Sequence, residues 1–200
     1  MAEATDTFTT LGFDPDALRN KYREERDKRL RQDGNDQYIE VKGDFSRYVD
    51  DPYVEPGFSR ESIDAEIEVI IIGGGFGGML AAARLREIGI DDFRIIEKGG
   101  DFGGTWYWNR YPGASCDIES YVYFPLLEKT EFVPKQKYTN APETLEYCGV
   151  ISEKYSLHEN ALLQTEVTAT EWDEELGRWK VSTNRADNIL AKYVVHSNGP

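Results

Sequence analysis

Ile67-Glu68-Val69-Ile70-Ile71-Ile72-Gly73-Gly74-Gly75-Phe76-Gly77-Gly78 is the stretch on which the fold turns. Its first half is a short β-branched run, the composition of a strand buried on both faces of a parallel sheet. Glycines follow at once, and then Met79 to Ile88 is rich in alanine and leucine, periodic like a helix and closed by Gly89. Phe93-Arg94-Ile95-Ile96-Glu97 predicts a second strand. A strand, a tight turn, a helix and a strand within about 30 residues make a parallel βαβ crossover. Gly73, Gly75 and Gly78 spell G-x-G-x-x-G. The first permits the sharp turn, the second lets backbone approach a pyrophosphate, and the third lets the helix pack closely on the strand. The helix N-terminus then offers N–H groups and the positive end of its dipole to phosphate. Glu97 ends the second strand at slightly more than the usual ~20-residue spacing; a carboxylate there accepts hydrogen bonds from ribose hydroxyls and repels a 2′-phosphate. The unit predicts an α/β, Rossmann-like domain whose site takes FAD or NAD, with NADP disfavoured.

Outward from this unit the chain changes character on both sides. Upstream, Asp14-Pro15 is a helix start, a capping carboxylate followed by proline at the first helical position. Ala17 to Arg31 is dense in charge, with only Leu18, Tyr22 and Leu30 as a thin apolar stripe, so the helix is expected to lie on a larger body. Asp33-Gly34-Asn35-Asp36 is turn chemistry that ends it. Tyr38 to Ser62, with Gly43, Pro52, Pro56 and Gly57, reads as an extended arm. Residues 1–65 are therefore predicted as an N-terminal extension and 66–200 as the nucleotide domain. Downstream, Gly99 to Thr139 is rich in loops, and Ala141 to Tyr155 predicts a helix. Val167–Trp172, Trp179–Thr183 and Lys192–His196 predict an antiparallel meander.

Composition bounds the function. The chain has 200 residues, 40% of them apolar and 30% charged, an ordinary globular mixture. A net charge of −14 argues against nucleic acid or an anionic membrane as partner. Two cysteines, Cys116 and Cys148, are too few for a disulfide framework and wrongly spaced for zinc, and no metal site is expected. The two histidines, His158 and His196, are far apart and read as structural. No apolar run approaches the roughly 18 residues of a membrane span. The start, Met1 to Asp6, is acidic and carries no secretory signal, so a cytoplasmic location is expected. Oligomeric state is left open.

Glycine motif and acid alone do not separate FAD from NAD. The segment Asp101-Phe102-Gly103-Gly104-Thr105-Trp106-Tyr107-Trp108-Asn109-Arg110-Tyr111-Pro112-Gly113-Ala114-Ser115-Cys116-Asp117-Ile118-Glu119-Ser120 adds a second glycine pair and four aromatics within six residues. Such a cluster supplies stiff, flat surface suited to walling in a planar ring system. This string closely resembles the flavin-binding segment of Baeyer–Villiger monooxygenases, and the resemblance runs from Ile67 to Val195. Lys21-Tyr22-Arg23-Glu24-Glu25-Arg26-Asp27-Lys28-Arg29-Leu30-Arg31 is similar to the N-terminal extension of the cyclopentadecanone monooxygenase type within that family.

The resemblance implies FAD on this domain, NADPH as reductant on a second domain, and dioxygen as co-substrate. The reduced flavin would form a peroxide that attacks a ketone, cyclic or bulky, to give an ester or lactone. Gly73, Gly75, Gly77 and Gly78 would cradle the pyrophosphate, joined by Gly104, and Glu97 would hold the adenosine ribose. Thr105, Trp106 and Trp108 would line the flavin, with Tyr123 and Val167 as further FAD contacts. Ser115, Cys116 and Asp117 match the strip where flavin meets nicotinamide. Asp117 matches the active-site aspartate, which would hold an arginine by charge-assisted hydrogen bonds. One departure is Ser197-Asn198-Gly199-Pro200, where the family carries a small residue, threonine or serine, then glycine. The chain shows no second nucleotide motif and no partner arginine, and it is expected to be the amino-terminal part of a longer enzyme, inactive alone. A flavin-dependent disulfide reductase would need a cysteine pair after the second Gly-Gly, where Trp106 stands. An N- or S-oxidising flavin monooxygenase and a non-catalytic FAD-binding module are the alternatives.

Overall fold

A computed structural model describes residues 12–37 and 42–199; the acidic start from Met1 to Asp6, the beginning of the arm at Tyr38, and Pro200 lie outside the described residues. Asp14 caps the first helix, α1 (Pro15–Arg29), its carboxylate accepting from the N–H of Asp16 at 2.9 Å and of Ala17 at 3.3 Å. The helix stops two residues short of Arg31, with the Leu30 N–H as its last helical donor. Arg31 is instead drawn to the Asp33 carboxylate at 2.8 and 2.5 Å. The arm carries a 3₁₀ turn at Gly43–Tyr48 rather than running extended throughout. Compact units divide between Asp50 and Asp51, upstream of the composition change at Ala65.

In the second unit, β1 (Asp64–Ile72) starts three residues before Ile67, because its pairing with the last strand begins at Asp64↔Asn188. Then come α2 (Phe76–Glu87), β2 (Phe93–Ile96) and the short helices α3 (Thr105–Trp108), α4 (Ser120–Tyr123) and α5 (Leu127–Thr130). After α6 (Ala141–Lys154) follow β3 (Ala161–Leu162), β4 (Val167–Asp173), β5 (Arg178–Thr183) and β6 (Asn188–His196). The sheet order is β3-β2-β1-β6-β5-β4. β3, β2, β1 and β6 are parallel, and β4–β5–β6 is the antiparallel meander. The expected α/β, Rossmann-like architecture is therefore present.

The carboxyl half of β1, Val69 to Ile72, is a continuous apolar run because both its faces are covered. Val69 and Ile71 join Met79, Ala82 and Ala83 of α2 and Tyr147 and Ile151 of α6 in one cluster. Ile67 and Ile70 join Val181, Ile189 and Ala191 of the meander in the other. The two alanines of α2 bring the helix close to the sheet. Segment 51–63 packs with this body. Arg60 donates to Asp187 at 2.7 and 2.5 Å, and Asp187, whose side chain is fully buried, also accepts from the Thr183 hydroxyl and the Ile63 N–H.

Candidate functional site

Two glycine loops meet at the carboxyl ends of β1 and β2 and bound a cavity of about 910 Å³. Cofactor sites span about 300–1,000 Å³ and favour the carboxyl ends of parallel strands where the strand order reverses, as it does here at β1, with β2 on one side and β6 on the other. The first loop, Gly73–Gly75, runs into α2, whose N-cap Gly75 has no side-chain acceptor, leaving the first-turn amides to a ligand. The second, Gly99–Gly104, runs from β2 into α3. The loops are joined by the Gly103 N–H donating to the Gly74 carbonyl at 3.0 Å. A Cβ on Gly104, where φ is +52°, would stand 2.8 Å from the Gly75 Cα. Bare backbone thus packs against bare backbone, and a side chain on Gly104 would push apart the two loops that wall the cavity. Gly78 is buried behind the cavity: a Cβ there would lie 1.8 Å from the Gly73 carbonyl oxygen, so it sets the approach of α2 to β1.

At one end of the cavity stands Glu97, 6% exposed. Its Oε2 accepts from the Gly74 N–H at 2.5 Å and its Oε1 from the Gly99 N–H at 2.6 Å. A carboxylate offers about four acceptor positions, so two are left for the hydroxyls of a sugar. Lys98 and Glu166, paired at 3.5 Å, flank this end together with Val167. β4 carries an irregularity between Val167 and Ala169, and the extra residue, Thr168, also lines the cavity. Such bulges re-aim backbone beside binding sites.

At the other end are Thr105, Trp106, Trp108 and Tyr123. The Trp106 indole N–H donates to the Tyr123 hydroxyl at 3.1 Å, the rings meeting edge to face at 5.9 Å. Burial pushes the Tyr123 phenol pKa up, with smaller contributions from neighbours that include Asp117, so Tyr123 stays a neutral donor. The aromatic run divides its labour in a way its composition hides. Tyr107, 3% exposed, turns from the cavity and donates to Asp51 at 2.7 Å, while Tyr111 is 63% exposed and away from it. Trp106, Trp108 and the distant Tyr123 form the wall instead.

Ser115, Cys116 and Asp117 do not line the cavity. Ser115 bridges to Asn140, and Cys116 packs among Trp106, Ala114 and Ala141. Asp117 is exposed beside them. His158 pairs with Asp101 at 2.9 Å and stands edge-on to Phe102, whereas His196, Ser197 and Asn198 line the rim where β6 ends. Sequence reasoning missed Lys98, Asn109, Thr165 and Thr168 as lining residues; only their neighbours in the chain, Glu97, Trp108 and Val167, carried a signal. Among the described residues no group of three or more His, Cys, Asp or Glu could hold a metal, and no helix is long and apolar enough to cross a membrane.

Residues 71–132 match the NAD(P)-binding Rossmann-like domain family. Neopentalenolactone D synthase of Streptomyces avermitilis is 49% identical over 93% of this chain and 31% of its own length. A Baeyer–Villiger monooxygenase of Streptomyces coelicolor is 46% identical over 91% of this chain and 30% of its own. The polycyclic ketone monooxygenase of Thermothelomyces thermophila superposes with a TM-score of 0.81 at 36% identity, covering 92% of this chain and 32% of that one. The chain thus spans about a third of the length of the relatives it matches. In sequence and in fold it is the counterpart of the amino-terminal third of Baeyer–Villiger monooxygenases.

Proposed function

We propose that this chain is the FAD-holding portion of a flavin-dependent Baeyer–Villiger monooxygenase that uses NADPH and dioxygen to convert ketones to esters or lactones. The observation that carries the proposal is the cavity walled by the packed glycine loops, Gly73–Gly75 and Gly103–Gly104, with the Glu97 carboxylate anchored in its lining. The open first-turn amides of α2 would face the pyrophosphate, and the free acceptor positions of Glu97 the adenosine ribose. The same charge repels a 2′-phosphate, which places NADPH elsewhere. Trp106, Trp108 and Tyr123 would exclude water from one side of the isoalloxazine, and the Tyr123 hydroxyl would donate to it. Val167 and the irregular Thr168 would meet the adenine end. FAD, when bound, supplies two-electron redox chemistry with dioxygen.

Asp117 is assigned the role of orienting an arginine contributed by the rest of the protein. Its exposure suits that role, since a charge that awaits a partner from outside this segment must remain reachable. Ser115 and Cys116, on the same strip, would adjoin the nicotinamide. The test uses the full-length enzyme with a panel of cyclic ketones, following NADPH consumption and lactone formation together. Asp117→Ala is expected to retain FAD and to lose ketone oxidation by about two to three orders of magnitude, the scale of losing a preorganised charge partner. Unchanged turnover in that variant removes the assignment, and NADPH oxidation with no oxygenated product from any ketone, amine or sulfide removes the monooxygenase reading.

A further inference from the structure

The cavity is shaped by a residue that does not touch it. Tyr107 lies on the side of the second glycine loop away from the cavity, its ring so close to Gly99 that a side chain there has no room, and its hydroxyl and Val54 crowd Gly100 in the same way. Its hydroxyl donates to Asp51 Oδ2 at 2.7 Å and accepts from the Gly100 N–H at 3.0 Å. The Gly100 N–H is shared with the same Asp51 oxygen at 2.9 Å, which closes a triangle of hydrogen bonds. The second oxygen of Asp51 accepts from the Tyr53 N–H at 2.9 Å, so the carboxylate is fixed in an Asx turn of the arm. Arg110 completes the assembly, its guanidinium 3.8 Å above the Tyr53 ring and 4.4 Å above that of Tyr107.

On its other side the loop bears the groups the ligand would meet. Gly99 donates to Glu97, and Gly103 donates to Gly74. We infer that Asp51 is a positioning residue for the cofactor cradle: acting through Tyr107 and the Gly100 amide, it keeps the second glycine loop packed against Gly74 and Gly75, so that the Gly103 and Gly104 backbone holds its place in the cavity wall. The inference rests on the FAD reading above and adds to it a control point in the arm. No residue of the Asp51 assembly lines the cavity apart from the loop it grips. An unbraced loop would have to be ordered by the ligand itself, and that ordering subtracts from affinity.

The experiment titrates FAD into full-length apoenzyme by flavin fluorescence, alongside thermal melts of the same apoenzymes. The variants are Asp51→Asn, Asp51→Ala, Tyr107→Phe and the double variant Asp51→Ala/Tyr107→Phe. Asp51→Ala and Tyr107→Phe should each raise the FAD Kd by about tenfold to a hundredfold, the scale of a hydrogen bond to a charged group. The double variant should be little worse than either, because both break one triangle. Asp51→Asn keeps an acceptor and should fall between. A melting temperature lowered in the apo state with FAD affinity unchanged would make Asp51 merely structural and overturn the inference. So would additive losses in the double variant. Wild-type protein that binds no FAD would instead refute the cofactor reading itself, and this inference with it. Tyr107→Phe keeps the packed ring and removes only the hydroxyl, so it decides the matter if the alanine variant does not fold.

Discussion

Replacing Glu97 by glutamine probes the ribose end of the cradle without changing its volume. Both carboxylate oxygens are already engaged by backbone amides, those of Gly74 and Gly99. In Glu97→Gln one oxygen becomes NH₂, which must face one of those N–H groups, donor against donor. A hydrogen bond to a charged group is worth about 1.5–3 kcal/mol, and a buried donor left unpaired costs about 1–3 kcal/mol. The glycine loops can relax part of this, but relaxation displaces the backbone that walls the cavity. The expected loss is about 2 kcal/mol of FAD binding, roughly thirtyfold in Kd. A further loss should appear in the apo melting temperature, because Glu97 ties β2 to the loop after β1. The assay is a fluorescence titration of full-length apoenzyme with FAD, paired with a thermal melt. Wild-type affinity together with a wild-type melt would refute the reasoning, since it would mean that neither amide nor ribose uses the negative charge.

Gly104→Ala should all but abolish FAD binding, because the new methyl group collides with Gly75 and forces the two loops apart, and φ of +52° strains any side chain; retained affinity in the same titration would show that the packing of the loops does not shape the FAD site. The Arg60–Asp187 pair should make stability fall at acid pH. Burial alone would raise the Asp187 pKa, but hydrogen bonds from Arg60, Thr183 and the Ile63 N–H outweigh it and hold the carboxyl at about 2, below its ordinary 3.8. A depressed carboxyl stabilises the fold fully above its unfolded pKa, so about 2 kcal/mol should be lost as pH falls from about 4 through 2. Urea melts of wild type and Arg60→Met across that range check this. The variant should lose about 3–5 kcal/mol at neutral pH by stranding a buried charge, and equal stability of the two proteins at pH 7 would contradict it.

The parts of this fold that were legible in the sequence are the ones whose causes are local. β1 announced itself because its carboxyl half, Val69 to Ile72, is covered on both faces and is wholly apolar, and the glycines after it because backbone must approach backbone. Glu97 was legible because it is tied to that unit by chain distance. The two-residue strand β3 was invisible: Ala161 and Leu162 carry no strand signal and are aligned only by the edge of β2. Helices α3, α4 and α5, each four residues long, are fixed by tertiary packing rather than by periodicity. β6 begins at Asn188, before the expected Lys192, because its neighbours β1 and β5 extend that far. In the site, Trp106, Trp108 and Tyr123 were identified by resemblance and do reach the cavity. The opposite orientation of Tyr107 follows from the α3 turn and from Asp51, a residue more than fifty positions upstream whose carboxylate no sequence pattern links to it. Ser115 and Cys116 stay apart from the cavity because the strip pairs with Asn140 and packs on Ala141 at the start of α6, a long-range contact that no local pattern encodes.

The most direct test of the account is the visible spectrum of the full-length protein, purified, stripped of nucleotide and titrated in turn with FAD, NAD and NADP. Saturable binding of FAD with the absorption of a protein-bound flavin, lost in Gly104→Ala, is the predicted result. A protein that remains colourless with FAD and instead saturates with a nicotinamide nucleotide at this site would contradict it.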